Sequence, residues 1–212
     1  MRGFTIGALH TYKSLGMILA KSELSAAPIK QKKIDIEGGH GTLDITEFFG
    51  YPQYDDVTHK FTFALLGADL TGQYNIIKNA LHGVKGTITL DDDPGHYYVG
   101  RVFVSPLSVN NKVGTVSLEC DCEPWRYKSA ETVITRAVNG TDIIVLLNGK
   151  KRVVPLVTIQ TETALHIEYG YNIWDLGAGQ FRLPELELTA GENTVSVTGT
   201  GQITFTYREA DL

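Results

Sequence analysis

Cysteine, methionine and tryptophan each occur only twice in the 212 residues of this chain. The cysteines, Cys120 and Cys122, are one residue apart, so an extended backbone sends both thiols to the same side. A disulfide between them would oppose the pleat, and without further Cys or a nearby His they do not compose a zinc site. They read as small buried hydrophobes of a reducing compartment. Long apolar runs are also missing. Nothing approaches the length a bilayer demands, so no membrane span is expected. The first residues, MRGFTIGALHTYKSLGMILAK, lack a sustained apolar stretch before a small-residue cleavage site, and no signal peptide is expected. Positive charge is in deficit: 19 Lys and Arg stand against 24 Asp and Glu, for a net charge of −5. General nucleic-acid binding needs clustered cations against phosphate and is disfavoured.

Catalytic patterns are absent as well. There is no GxSxG, no HExxH and no Walker A glycine loop. The six histidines lie in unrelated segments without metal spacing. Asp91, Asp92 and Asp93, followed by Pro94 and Gly95, fit a hairpin turn better than a cation loop, because the EF-hand pattern is missing. No pair of carboxylates is singled out for glycoside hydrolysis. No enzymatic activity, metal or cofactor is expected.

What the chain does have is alternation. Val116, Leu118, Cys120 and Cys122 interleave with Ser117, Glu119 and Asp121, the period of a half-buried strand that Pro124 ends. Similar strands are expected over Phe4–Gly7, Met17–Leu24, Ile29–Ile36, His59–Leu66, Lys85–Leu90, Tyr97–Leu107 and Lys112–Cys122. One stretch changes period. Leu70, Tyr74, Ile77 and Leu81 form a helical stripe, with Thr71 as N-cap and Gly83 as stop. Between the strands lies a long loop, residues 38–56, with a partial strand in it at Leu43, Ile45 and Phe48, and with Gly38, Gly39 and Gly41 expected at positive φ.

After residue 129 the texture changes. Eight short strands recur about every ten residues: Thr132–Val138, Asp142–Leu147, Arg152–Gln160, Ala164–Tyr169, Gln180–Leu183, Glu185–Leu188, Thr194–Val197 and Gln202–Tyr207. Glycines, Gly140 and Gly199 among them, punctuate these strands as turns, and Leu186 to Val197 reads as a hairpin. Evenly spaced strands without helical period predict a β-sandwich. Trp125 is expected to cover the end of the first core, and Trp174 to pack inside the second rather than stack on a sugar with Asn172 and Asp175. The fold class is therefore mainly β: an N-terminal β-sandwich with one α-helix over residues 1–129, and a second β-sandwich over 130–212.

Motif order adds a resemblance. Ser14-Leu-Gly-Met17, Ile34-Asp-Ile-Glu-Gly-Gly-His-Gly-Thr-Leu-Asp-Ile45, Tyr54-Asp-Asp with Lys60-Phe-Thr-Phe63, Leu81-His-Gly-Val-Lys-Gly86, Leu90-Asp-Asp-Asp-Pro94, Tyr97-Tyr-Val-Gly-Arg-Val102 and Glu123-Pro-Trp-Arg-Tyr127 follow one another. In that order the chain resembles the distal tail proteins (Dit) of long-tailed, non-contractile phages. The resemblance implies a baseplate hub. Its first domain would form a hexameric ring with five further copies at the distal end of the tail tube, around a channel that DNA crosses without specific binding. Its second domain would be galectin-like and project outward as an attachment platform. Implied partners are the tail tube protein, a tail-associated fibre or lysin protein and a receptor-binding protein. The implied location is the virion tail tip, after synthesis in the host bacterial cytoplasm. The alternative is a tail adhesin whose second domain grips cell-wall glycans. For the ring, the loop at residues 38–56 is the expected intersubunit arm, through Phe48, Phe49, Tyr51 and Tyr54, because exposed aromatics mark interfaces.

Overall fold

The computed structural model describes residues 2–212. The chain divides into two compact units, the first ending at Trp125 and the second comprising Arg126–Leu212. Its strands in order are β1 (Phe4–Ile6), β2 (Leu9–His10), β3 (Ile18–Glu23), β4 (Lys33–Asp35), β5 (Thr42–Asp44) and β6 (Val57–Leu66). Helix α1 (Leu70–Leu81) follows, then β7 (Lys85–Leu90), β8 (His96–Val104), β9 (Ser108–Asn110) and β10 (Val113–Cys122). The second unit holds β11 (Arg126–Lys128), β12 (Thr132–Asn148), β13 (Leu156–Thr161), β14 (Leu165–Tyr169), β15 (Asn172–Leu176), β16 (Gly179–Arg182), β17 (Gly191–Tyr207) and β18 (Ala210–Asp211).

The first unit is built on an antiparallel sheet of order β2-β1-β7-β8-β10-β6-β3. Its spine is the β6–β10 ladder of ten residue pairs, from Val57↔Cys122 to Leu66↔Val113. Alternation sorts the two faces. Phe61, Phe63, Leu65, Val116, Leu118, Cys120 and Cys122 point inward with Phe4, Ile77 and Leu81. The Phe4 ring lies 4.5 Å from Phe61 and 5.7 Å from Phe63. On the outer face the same ladder sets Lys60 against Glu119 at 2.9 Å and Thr58 against Asp121 at 2.6 Å. These exposed pairs add little stability but they fix register, since a one-residue slip would turn every apolar side chain outward.

The helix occupies the predicted residues and buries Ile77 and Leu81. Its N-cap, however, is Asp69 rather than Thr71: the carboxylate accepts from the Gly72 N–H at 2.8 Å. Asp reaches that donor from outside the first turn, whereas Thr71 already has helical backbone. Gly83 follows the helix with φ +83°. Asn111 and Lys112, both at positive φ, make the two-residue turn between β9 and β10.

The second unit departs from the expected eight short strands. Thr132–Val138 and Asp142–Leu147 are one strand of 17 residues, β12, and Thr194–Val197 and Gln202–Tyr207 are parts of another, β17. The two pair along their whole length, with Gly140 opposite Gly199. Both glycines lie at positive φ, +96° and +138°, so they bend a continuous ribbon instead of ending its strands. On its other side β17 takes a different partner on each side of the bend, β14 over Ser196–Thr198 and β13 over Gly201–Thr206. β16 extends β13, and β15 extends β14. The folded-over sheet encloses Ile144, Leu146, Val157, Ile159, Ile167, Val195, Val197, Ile203 and Phe205.

The expected hairpin from Leu186 to Val197 does not form: Leu188 bridges Val153, while Val195 pairs with Ile144 of β12. The stretch Glu185–Leu188 is accordingly no regular strand. Two buried asparagines hold the ribbon's end. Asn148 Nδ2 donates to the carbonyls of Lys151 and Leu188 at 2.9 and 3.1 Å, and Asn193 bonds both the N–H and the C=O of Thr189 at 2.8 Å. β11 belongs to this unit by pairing with β18.

Two outcomes follow from this packing. A Cβ at position 199 would lie 2.7 Å from Leu165 Cδ2 on a backbone that L-residues avoid, so Gly199→Ala should cost about 2 kcal/mol or more by urea unfolding. Burial raises both thiols, Cys122 to about 12 and Cys120 still further, so a disulfide reagent at pH 8 should label neither until the chain is unfolded.

Candidate functional site: an exposed hairpin arm

The segment between β3 and β6 leaves the sheet and returns to it. Its base is closed by backbone bonds from Lys30 N–H to Gln53 O and from Asp55 N–H to Pro28 O, both 2.8 Å, with an Ile29–Tyr54 bridge between them. The expected strand Ile29–Ile36 is thus a bridge at Ile29 and a short β4. The partial strand expected in the loop is β5, which pairs with β4 as a separate two-stranded sheet. Gly38 and Gly41 turn the tip at φ +71° and +78°; Gly39 is not at positive φ.

This ribbon is amphipathic. Ile34 faces Leu43 across the strands, while Lys33 and Asp44 pair on the opposite face. Ile34, Ile36 and Leu43 are nevertheless 46, 51 and 52% exposed. Beyond β5 a turn carries Phe48 and Phe49, 77 and 73% exposed, their rings edge-to-face at 5.4 Å. A shallow pocket of about 400 Å³ beside this turn is lined by Ile29, Gln31, Asp44, Thr46, Glu47 and Pro52.

The four expected interface aromatics separate into two pairs. Phe48 and Phe49 stand in water in the turn between β5 and the base, whereas Tyr51 and Tyr54 are half-buried near the base itself. The Tyr54 ring meets Trp125 edge-on at 5.7 Å, so Trp125 braces the base of the arm. Ile34 and Ile36 read from sequence as one side of a strand, but their partnership with Leu43 in one apolar face was not picked out. The signal was there: IDI and TLD flank a glycine turn, and each places an apolar residue at its centre.

No other cluster competes as a chemical site. The Asp91–Asp93 turn is occupied by its neighbours. Asp91 accepts from the Gly3 N–H at 2.8 Å and bonds His10 at 3.1 Å, Asp92 pairs with Arg2 at 3.1 Å, and Asp93 bonds His96 at 2.7 Å. Among the described residues no group of three His, Cys, Asp or Glu side chains could hold a metal ion, and no helix is long and apolar enough to cross a membrane. Trp174 packs half-buried against the second core, opposite Ile167, while Tyr171 at the β14–β15 turn is fully exposed.

Two histidines are strongly placed. His59 faces the first core, 3% exposed, with Nδ1 accepting from the Ser25 N–H at 3.2 Å and its ring against Tyr98. Burial holds its pKa below the ordinary value. His166, on the outer face of β14, bonds Asp175 at 2.8 Å and Glu168 at 3.1 Å, and these hydrogen bonds raise its pKa.

Comparison with known proteins bears on the whole chain. No protein-family profile and no curated protein matches the sequence. Among solved structures, the chain superposes on the Dit protein (gp 19.1) of phage SPP1 with a TM-score of 0.72, over 98% of this chain and 99% of that one, at 14% identity. This chain has the Dit fold. The solved protein is described as a paradigm of the hub adsorption apparatus in phages that infect Gram-positive bacteria. The match covers both units, so the β-rich architecture expected from sequence is that of Dit from end to end.

The two histidines predict opposite pH effects. His59 must stay neutral to remain buried, so its contribution falls as pH drops below its unfolded pKa near 6.5. His166 contributes fully below 6.5 and loses its contribution as pH rises through its raised folded pKa. Urea midpoints between pH 5 and 8 should lose their acid limb in His59→Gln, and the His166 ring resonances should titrate at lower pH in Asp175→Asn.

Proposed function

We propose that this chain is a structural hub of a phage tail tip. Six copies form a closed ring at the distal end of the tail tube, around a channel for DNA, and the second unit is an attachment platform for fibre, lysin or receptor-binding proteins. The role is architectural, without catalysis, and the protein resides in the virion. The full-length Dit fold carries this reading. The arm supports the ring. A two-stranded hairpin is marginal in water, and this one turns Ile34, Ile36, Leu43, Phe48 and Phe49 to solvent. A cyclic ring needs a head-to-tail interface in which one patch of each copy meets a different patch of the next. An apolar arm reaching out of one sheet supplies one side of such an interface.

The test is molar mass by light scattering over a concentration series. Six copies of 23.3 kDa give about 140 kDa, and a species at that mass or a multiple of it is expected. Phe48→Ser with Phe49→Ser removes two exposed rings, so the unfolding free energy should move by less than about 0.5 kcal/mol. The six-copy assembly of about 140 kDa should nonetheless be lost. A double variant that still forms six-copy rings would reject the arm as the intersubunit contact. A parent chain that stays monomeric even with purified tail tubes present would reject the ring.

A further inference from the structure

The second unit leaves one long edge open. β12 bonds β17 over its whole length and pairs with no other strand among the described residues. Its opposite edge therefore carries backbone donors and acceptors that no strand takes up. Edges of that length are ordinarily blunted by Pro, Lys or a bulge. β12 contains neither residue, and its register with β17 is unbroken. It also shows water an apolar row: Val133, Ile143, Val145 and Leu147 are 57, 66, 46 and 56% exposed.

We infer that β12 pairs antiparallel with β12 of a second copy of this chain, about a two-fold axis at Asn139. Charge selects both the occupant and the register. The strand has two charged residues, Arg136 and Asp142. Arg136 donates to the carbonyl of Thr135 at 3.2 Å, and neither residue has an ion-pair partner among the described residues. In a pairing centred on Asn139, Arg136 of each copy falls opposite Asp142 of the other. No other antiparallel centre brings the two together. The same register sets Val133 against Val145 and Thr135 against Ile143, so three of the exposed β-branched residues gain cross-strand neighbours.

Two further features agree with this register. Each residue meets one of its own parity, so the backbone groups that β17 does not use face one another, as an antiparallel ladder requires. Gly140, where the ribbon bends, sits one residue from the axis. Both strands therefore turn at the same level and stay in contact on either side of the bend. A foreign strand could cover the apolar row, but its charges would have no reason to match Arg136 and Asp142 in this spacing. A second copy matches both by symmetry. This contact is isologous and independent of the head-to-tail contact made by the arm.

The experiment is oxidative cross-linking of the full chain carrying Asn139→Cys, an exposed residue that would face its own copy across the axis. The native thiols are buried and do not compete. A disulfide-linked dimer is expected on a denaturing, non-reducing gel, with none from Thr198→Cys, an exposed control on β17. In the Asn139→Cys background, Arg136→Asp or Asp142→Arg alone should cut the dimer yield about fivefold or more, and the two together should restore it. Adding Phe48→Ser and Phe49→Ser should leave the cross-link intact, which separates this contact from the ring. The inference is overturned if Asn139→Cys cross-links no better than Thr198→Cys. It is equally overturned if the charge-swapped pair is no better than its single variants, or if the cross-link disappears with the arm's aromatics.

Discussion

Two glycines that face each other set the geometry of the second unit. Gly140 and Gly199 lie on neighbouring strands at the same level, both with positive φ. A 17-residue antiparallel ribbon without them would run as one long twisted hairpin, with nowhere to bury its inward row. Bent there, the ribbon lends one half to β13 and β16 and the other to β14 and β15. A single sheet thereby closes over its own core. The side chains of Val195, Val197, Ile203 and Phe205 come from one strand yet fill both halves of that core. The asparagine bonds at Asn148 and Asn193 make sense in this frame. They satisfy the backbone where the ribbon ends inside the fold, a place where an unpaired carbonyl or amide would cost about 1–3 kcal/mol.

The first unit solves a different problem. Its ten-pair spine of β6 and β10 is self-sufficient: aromatics and thiols inside, matched charges and hydroxyls outside. The arm that precedes it is not self-sufficient. Its apolar and polar residues are sorted onto two faces as though both were to be used, but a single copy buries neither. Sorting of that kind is what an intermolecular contact requires, and it supports the ring proposed above. The residues that stand out are those that make surfaces fit, while His10, His96 and His166 bond aspartates within the fold.

Much of this was legible in the sequence where local chemistry decides. The strands at Val57–Leu66 and Val113–Cys122 follow from strict alternation, and the helix follows from four apolar residues at helical spacing. The Asp91–Asp93 turn needed only its own residues. What failed was decided by partners distant in sequence. Gly140 and Gly199 read as turns because glycine usually ends a strand; only their position opposite each other keeps the strands continuous. Leu188 looked like the start of a hairpin but pairs with Val153, 35 residues away. The strand Asn172–Leu176 passed unnoticed because its turn, Gly170-Tyr171, lacks the usual Asn-Gly, though the register Tyr169↔Asn172 is that of a two-residue hairpin. Of the candidate interface, the aromatics Phe48 and Phe49 were visible as an excess in a long loop. The pairing of Ile34 with Leu43 was hidden, because nothing local sets a strand before the glycine turn against the partial strand after it.

The closed base of the arm has a consequence for how such a chain can diversify. Pro28 and Lys30 on the way out are hydrogen-bonded to Asp55 and Gln53 on the way back, so everything between them is, to the sheet, an insertion at a single point. Its length and sequence can change without shifting a strand of the scaffold, since neither the register nor the core of the first unit draws on it. In the proposed ring, mating specificity between copies would then drift independently of folding stability. Two related chains could share one scaffold and yet refuse to co-assemble, because each recognises only the surface its own arm was selected to fit.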